Sequence, residues 1–192
     1  MAIEYLPVSW QQYHNYALTL AENILTKAGP IDGIVAIARG GLSLGHVLSD
    51  FLSATISTFA IQSYESVQEQ GEVKITAGIQ TSIKGKHILV VDDVADTGKT
   101  FLRALSYLAD FEPKKITTAA MFYKPHSAFK PDFFVEETSK WILFPTEVVE
   151  SILAISKNMK NEGTSEKEIE VFLQSLGYTP QQIAFVQRFH TK

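Results

Sequence analysis

At 192 residues, 45% of them hydrophobic, the chain suits one domain with a small appendage and is too apolar for disorder. A formal net charge of −4 excludes a broad basic face for a nucleic-acid backbone, so an anionic ligand must be met locally, by backbone N–H groups, a few cations or a metal. The absence of cysteine excludes a disulfide scaffold, a thiol nucleophile and a cysteine zinc site, and fits a reducing cytoplasm. The opening MAIEYLPVSWQQ lacks the basic-then-apolar pattern of a signal peptide. No apolar run approaches the roughly 20 residues of a membrane span, so no membrane partner is expected.

Ser9 with Gln12 forms a capping-box pattern ahead of Tyr13, Ala17, Leu20, Ala21 and Ile24, which predicts a first amphipathic helix. Gly33 to Ala38, GIVAIA, predicts a buried strand that ends at Arg39-Gly40-Gly41. Leu44, Val47, Leu48 and Phe51 then recur with helical period, and Thr55 to Ile61 is rich in β-formers. Gln62 to Lys86 is polar and carries Gly71, Gly78 and Gly85, which predicts a long mobile loop or hairpin that could serve as a lid. His87 to Val91 predicts another buried strand, closed by Asp92-Asp93, and Thr97 to Asp110 a helix with Phe101, Leu105 and Leu108 inward. Lys115 to Tyr123 is the next strand; Phe133 to Val135 and Trp141 to Phe144 are shorter ones.

Apolar strands alternating with helices imply an α/β fold, a parallel twisted sheet flanked by helices on both faces. Ligands of such sheets bind beyond the carboxyl ends of the strands, so the informative loops follow Ala38, Val91 and Tyr123. From about Thr146 the pattern changes. Val149, Ile152 and Leu153 suggest one helix, and Ser165 with Glu168 caps a second carrying Ile169, Phe172, Leu173 and Leu176. Gly177 ends it, and Thr179-Pro180 with Gln182 starts a third. Residues 1–147 therefore read as the main domain, and 148–192 as a helical C-terminal appendage that packs on the domain or on a second subunit.

The strongest chemical signal is Ile88 to Thr100, ILVVDDVADTGKT. Asp92 and Asp93 at the end of a buried strand are costly unless a cation or hydroxyl groups satisfy them. Ala95 to Thr100 then opens a helix, where successive backbone N–H groups and the helix dipole make an anion seat. Gly98 permits close approach or a positive φ, and Thr97 and Thr100 add hydroxyl donors. The plain alternative is a capped helix after a strand, with the aspartates as ordinary caps. A Walker A loop is excluded, because no glycine precedes Lys99-Thr100 at the GxxxxGK[ST] spacing. Arg39-Gly40-Gly41 offers a second anion loop, with glycines for close approach and a guanidinium fork. Lys124, just past a strand in Tyr-Lys-Pro, is a surface lysine or a ligand. Trp141 is a core residue or a stacking surface. The five histidines show no ligand spacing and read as structural or surface residues.

ILVVDDVADTGKT resembles the phosphoribosyl pyrophosphate motif of the type I phosphoribosyltransferases, and the similarity runs from about Val35 to Glu147, closest to the xanthine-guanine and archaeal purine members. The resemblance implies a small hood from the N-terminal segment and Phe133 to Glu147. It implies that Asp92 and Asp93 contact the ribose hydroxyls, directly or through Mg2+. Asp96, Thr97, Gly98, Lys99 and Thr100 would cradle the 5-phosphate, with Asp96 also beside the imidazole side of the base. Ala38, Arg39, Gly40 and Gly41 match the pyrophosphate loop, where the peptide before the arginine position is typically cis. Lys124 would donate to a 6-oxo group, Trp141 would stack on the ring, Ile142 would meet the base edge through its backbone, and Glu147 matches an acidic position near the 2-substituent. Asp92, Asp93, Asp96 and Arg39 are thus the implied catalytic residues, and Asp92 and Asp93 the metal ligands.

Two positions depart from the family pattern: Thr146 stands where relatives often carry Trp, and Tyr64 to Ser82 has no arginine, Lys74 being the only cation before Lys84. The implied activity is Mg2+-dependent transfer of phosphoribosyl to a 6-oxopurine (guanine, xanthine or hypoxanthine) in cytoplasmic purine salvage. Its partners would be small-molecule substrates and further copies of the chain, as a dimer or tetramer, without nucleic acid. The alternatives are a phosphoribosyltransferase for a pyrimidine or other base, and a non-catalytic regulator of the same fold.

Overall fold

The computed structural model describes residues 3–66 and 69–191. Two compact units are present, one formed by His14–Ser139 and the other by Met1–Tyr13 with Lys140–Lys192. Helix α1 (Trp10–Lys27) begins in the smaller unit and continues into the larger.

The larger unit is built on β2 (Gly33–Ala38), β3 (Ile56–Ser66), β4 (Glu69–Ala77), β5 (His87–Ala95), β6 (Lys115–Tyr123) and β7 (Glu136–Glu137), in the spatial order β4-β3-β2-β5-β6-β7. β1 (Tyr5–Pro7) lies outside this sheet. Every neighbouring pair is parallel except β3 with β4. The chain leaves β2 through α2 (Gly41–Phe51) to β3 on one side, then returns to place β5 on the other. β2 and β5 therefore flank the point where strand order reverses, the position at which open α/β sheets bind ligands.

Strand alternation explains the two covered faces. Val35, Ile37, Ile88 and Val90 form a cluster with Phe101, Ala104 and Leu108 of α3 (Lys99–Ala109). The intervening Ala36 and Val91 meet α2 at Gly45, where a Cβ would stand 2.8 Å from Ala36 Cβ and 3.3 Å from Val91 Cγ2. Both faces are dry, so the central strands read as uninterrupted apolar runs.

In the smaller unit β1 pairs in parallel with β8 (Trp141–Leu143). Three helices follow, α4 (Val148–Asn161), α5 (Glu166–Ser175) and α6 (Pro180–His190). Their core is Ile152, Ile155, Ile169, Leu173, Ile183 and Val186, together with Leu143. Ser165 with Glu168 and Thr179 with Gln182 close full capping boxes, and Gly177 leaves α5 at φ 97°.

Two expectations are corrected and a third is narrowed to one of its alternatives. The strand expected to close at Asp92-Asp93 runs on to Ala95, because Asp92, Val94 and Ala95 stay in register with Ala120, Phe122 and Tyr123 of β6. Phe133 to Val135 is not a strand. Asp132 Oδ2 accepts from both the backbone N–H and the hydroxyl of Thr118, which ends the pairing ahead of the isolated bridge at Phe133; Val135 N then donates to Met121 O, and regular pairing resumes at β7. Gln62 to Lys86 is in the main a hairpin of β3 and β4; Val67 and Gln68, within the expected lid, lie outside the described residues.

Candidate active site

Three loops leave the carboxyl ends of the adjacent strands β2, β5 and β6. The first is Ala38 to Gly41. The Ala38–Arg39 peptide is cis, as the resemblance implies. Gly40 lies under the Asp93 carboxylate: a Cβ built there would stand 2.5 Å from Oδ1 and 2.7 Å from Oδ2. Gly41 leaves no room for a Cβ against the carbonyl of Val91. The glycines of this loop are thus required by close approach to β5, with Gly40 at an ordinary helical φ of −53°. Arg39 is exposed at the loop tip.

The second loop is Asp92 to Thr100. Asp92 and Asp93 are each only 8% exposed. Asp93 covers Gly40, and Asp92 Oδ1 accepts from the Asp93 backbone N–H at 3.1 Å. Gly98 has φ 82°, and a Cβ there would stand 2.5 Å from the backbone N of Phe129. The positive φ expected of this glycine is present, and the close approach it makes is to the backbone of Phe129. Asp96, Thr97 and Lys99 are exposed and Thr100 is half-buried.

The third loop, Lys124 to Phe129, lies along the second. Lys124 N donates to Ala95 O at 3.0 Å, and Ala128 N donates to Thr97 O at 3.0 Å. Lys124 is 7% exposed, so it is a buried cation rather than a surface lysine. Burial lowers its pKa from the ordinary lysine value, against the opposing influence of the Asp96 charge. His126 Nε2 stands 3.0 Å from Asp96 Oδ1. The sequence reads this histidine, with the other four, as a structural or surface residue; its place two residues beyond Lys124 is the signal that ties it to the site.

Helix starts separate these loops from the rest of the chain. α1, α5 and α6 are capped by Ser9, Ser165 and Thr179 side chains. α4 has no side-chain cap but carries Glu150 in its first turn. α2 and α3 open after Gly40 and Gly98. Neither N-cap glycine offers a side-chain acceptor and neither first turn carries its own acidic residue; Thr97 Oγ1 accepts from the Lys99 N–H at 3.4 Å, and the remaining leading N–H groups suit an external anion.

The remaining expected site residues belong to the smaller unit. Trp141 starts β8 with 48% exposure, so it is not a core tryptophan, and its indole offers a face for a flat ring. Ile142 is buried, Thr146 is exposed, and Glu147 precedes α4 at its N-cap. Lys74 sits on β4 opposite Gln62. Among the described residues no helix is long and apolar enough to cross a membrane.

Residues 9–151 match the model of the phosphoribosyl transferase domain family. The chain is 35% identical over 144 residues to a xanthine-guanine phosphoribosyltransferase of Nitratidesulfovibrio vulgaris, covering 72% of this chain and 82% of that protein. A purine phosphoribosyltransferase structure from Pyrococcus horikoshii superposes with a TM-score of 0.67 at 31% identity, over 73% of this chain and 92% of that one. The xanthine-guanine-hypoxanthine phosphoribosyltransferase of Helicobacter pylori gives 0.66 at 26% identity, over 80% and 99%.

Proposed function

The chain belongs to the phosphoribosyl transferase family, and on that premise we propose that it joins a 6-oxopurine to the ribose of phosphoribosyl pyrophosphate in purine salvage. One observation carries the reading: α2 and α3, opening from neighbouring strands, have glycine N-caps with no side-chain acceptor and no acidic residue in the first turn. Two adjacent anion seats joined by a carboxylate pair match a substrate with a phosphate at one end and a pyrophosphate at the other.

In this reading Ala38 to Gly41 receives the pyrophosphate, with Arg39 supplying the cationic fork. Asp96 to Thr100 receives the 5-phosphate. Asp92 and Asp93 hold the ribose hydroxyls and Mg2+. A carboxylate pair would suit this ion, since Mg2+ is bound by one or two carboxylates plus substrate phosphates. When bound, the ion supplies charge neutralisation on the leaving pyrophosphate. As the ribose C1–O bond breaks, the bonding pair leaves with pyrophosphate and the base nitrogen bonds to C1. The N–H proton of the base passes to the Asp96 carboxylate. Lys124, buried and donor-only, meets the 6-oxo group. No protein nucleophile is required; positioning and fixed charges supply the catalysis.

The test is pyrophosphate release over a panel of guanine, xanthine, hypoxanthine, adenine, uracil and orotate, with and without Mg2+. Turnover with 6-oxopurines in the presence of Mg2+ is expected. A pyrimidine-only profile would overturn the substrate assignment, and no release with any base would overturn catalysis itself.

A further inference from the structure

We propose that His126 is a positioning residue that fixes the Asp96 carboxylate for proton acceptance from the base, an inference resting on the Asp96 role above. The pair is not a chance surface contact. It lies between two backbone hydrogen bonds, Lys124 N to Ala95 O and Ala128 N to Thr97 O, each 3.0 Å. Residues 124, 126 and 128 thereby stand beside 95, 96 and 97 in step. The turn is closed again by Ser127 N donating to Lys124 O at 2.9 Å, and by Ser127 Oγ donating to Phe129 O at 2.9 Å. Isolated exposed ion pairs contribute little because two free side chains must be ordered. Here the backbone has already ordered the loop that carries His126, although the two side chains are 61% and 58% exposed.

The direction of the bond follows from chemistry. An ionised carboxylate only accepts, so Nε2 carries the hydrogen and donates to Oδ1. Oδ2 is then left to take the proton of the base N–H, as the base nitrogen bonds to C1 and the C1–O bond breaks. A second charge competes for the same carboxylate: Asp96 is the group whose field raises the Lys124 pKa. With His126 in place, Asp96 is held at the imidazole. Without it, the carboxylate is drawn toward the Lys124 ammonium, which is then no longer available to a 6-oxo group. His126 thus keeps the two base-directed charges apart.

The experiment compares H126A, H126Q, D96N and H126A/D96N, all with Mg·phosphoribosyl pyrophosphate and guanine. The exposure of His126 makes H126A a substitution that leaves folding intact. H126A is expected to lower kcat by about ten- to a hundredfold, the range for removing a partner that orients a reacting group, with KM for phosphoribosyl pyrophosphate within about twofold. The glutamine amide restores a donor at similar reach, so H126Q recovers to within about threefold of the parent. The double variant is expected to be no slower than D96N, since the two residues act as one unit. H126A with parental kcat beside a slow D96N overturns the His126 proposal alone. H126Q as slow as H126A also overturns it, because the hydrogen bond would not be the cause. A D96N variant with parental kcat overturns the Asp96 role, and the His126 proposal with it.

Discussion

Replacing Gly40 by alanine separates the function of the carboxylate pair from the stability of the fold. The backbone at Gly40 is helical, φ −53° and ψ −47°, so alanine meets no conformational strain. Its Cβ would stand 2.5 Å from Asp93 Oδ1, and the carboxylate must retreat by about 0.9 Å to regain an ordinary contact of 3.4 Å. Asp93 is buried, so the retreat crowds its neighbours at about 1–3 kcal/mol. Alanine in place of glycine in a helical backbone returns about 0.5–1 kcal/mol. The net loss of stability is therefore about 0–2.5 kcal/mol. The rate responds more sharply, because a displacement near 1 Å of a reacting group costs up to about a hundredfold. The control is Gly29→Ala, where φ is +79° and nothing lies within 4 Å of the added Cβ. That variant should lose about 1–2 kcal/mol to the left-handed backbone alone and keep its rate. Urea denaturation and steady-state pyrophosphate release on both proteins give the comparison. Gly40→Ala with kcat/KM within twofold of the parent would refute the argument that the Asp93 carboxylate is held in place for the reaction.

Three further outcomes follow from the same loops. Asp92→Asn with Asp93→Asn should leave a folded protein whose turnover falls by about a hundredfold or more, read by circular dichroism and pyrophosphate release. Lys124→Met should lose turnover of 6-oxopurines preferentially, in a comparison of kcat/KM for guanine and adenine. Lys124 also fixes the sign of a pH effect. Its native pKa is lowered by burial from 10.5, so the unfolded chain holds the proton more tightly. Its contribution to stability rises as pH climbs from the lowered native value toward 10.5, and denaturation profiles of Lys124→Met should lack that rise.

What the sequence discloses depends on how local the cause is. Capping boxes join residues three apart, so Ser9, Ser165 and Thr179 declare three helix starts without reference to the rest of the fold. The central strands declare themselves because both faces of the sheet are covered, which makes Gly33–Ala38 and residues 88–91 continuous apolar runs. The end of β5 was misread for the converse reason. Hydrophobicity stops at Asp92, but hydrogen bonding to β6 carries the strand to Ala95, and that partner lies nearly thirty residues away. His126 is illegible on the same ground: its neighbour Asp96 is set by the register of the loop after β6 against the loop after β5. Gly40 could be read as a glycine able to approach an anion, but not as one that approaches Asp93.

The helix starts carry the argument one step further. A serine, threonine or aspartate at an N-cap is worth about 1 kcal/mol because its oxygen accepts from the leading N–H groups. The chain collects that stabilisation on α1, α5 and α6, whereas at α2 and α3 the N-cap glycines supply none and only Thr97 Oγ1 reaches a leading N–H, that of Lys99 at 3.4 Å. A capping oxygen at Gly40 or Gly98 would occupy the donors that a phosphate oxygen needs, and a first-turn carboxylate would repel the phosphate itself. The same two glycines are also closed to larger residues, Gly40 by the Asp93 carboxylate and Gly98 by the backbone of Phe129. Anion affinity and close packing therefore demand the same residue at both positions, so local stability and function conflict at these two helix starts while they agree at the capped ones. A stabilising cap introduced at Gly98 would have to overcome a left-handed φ, a contact with backbone and a rival for the phosphate seat at once.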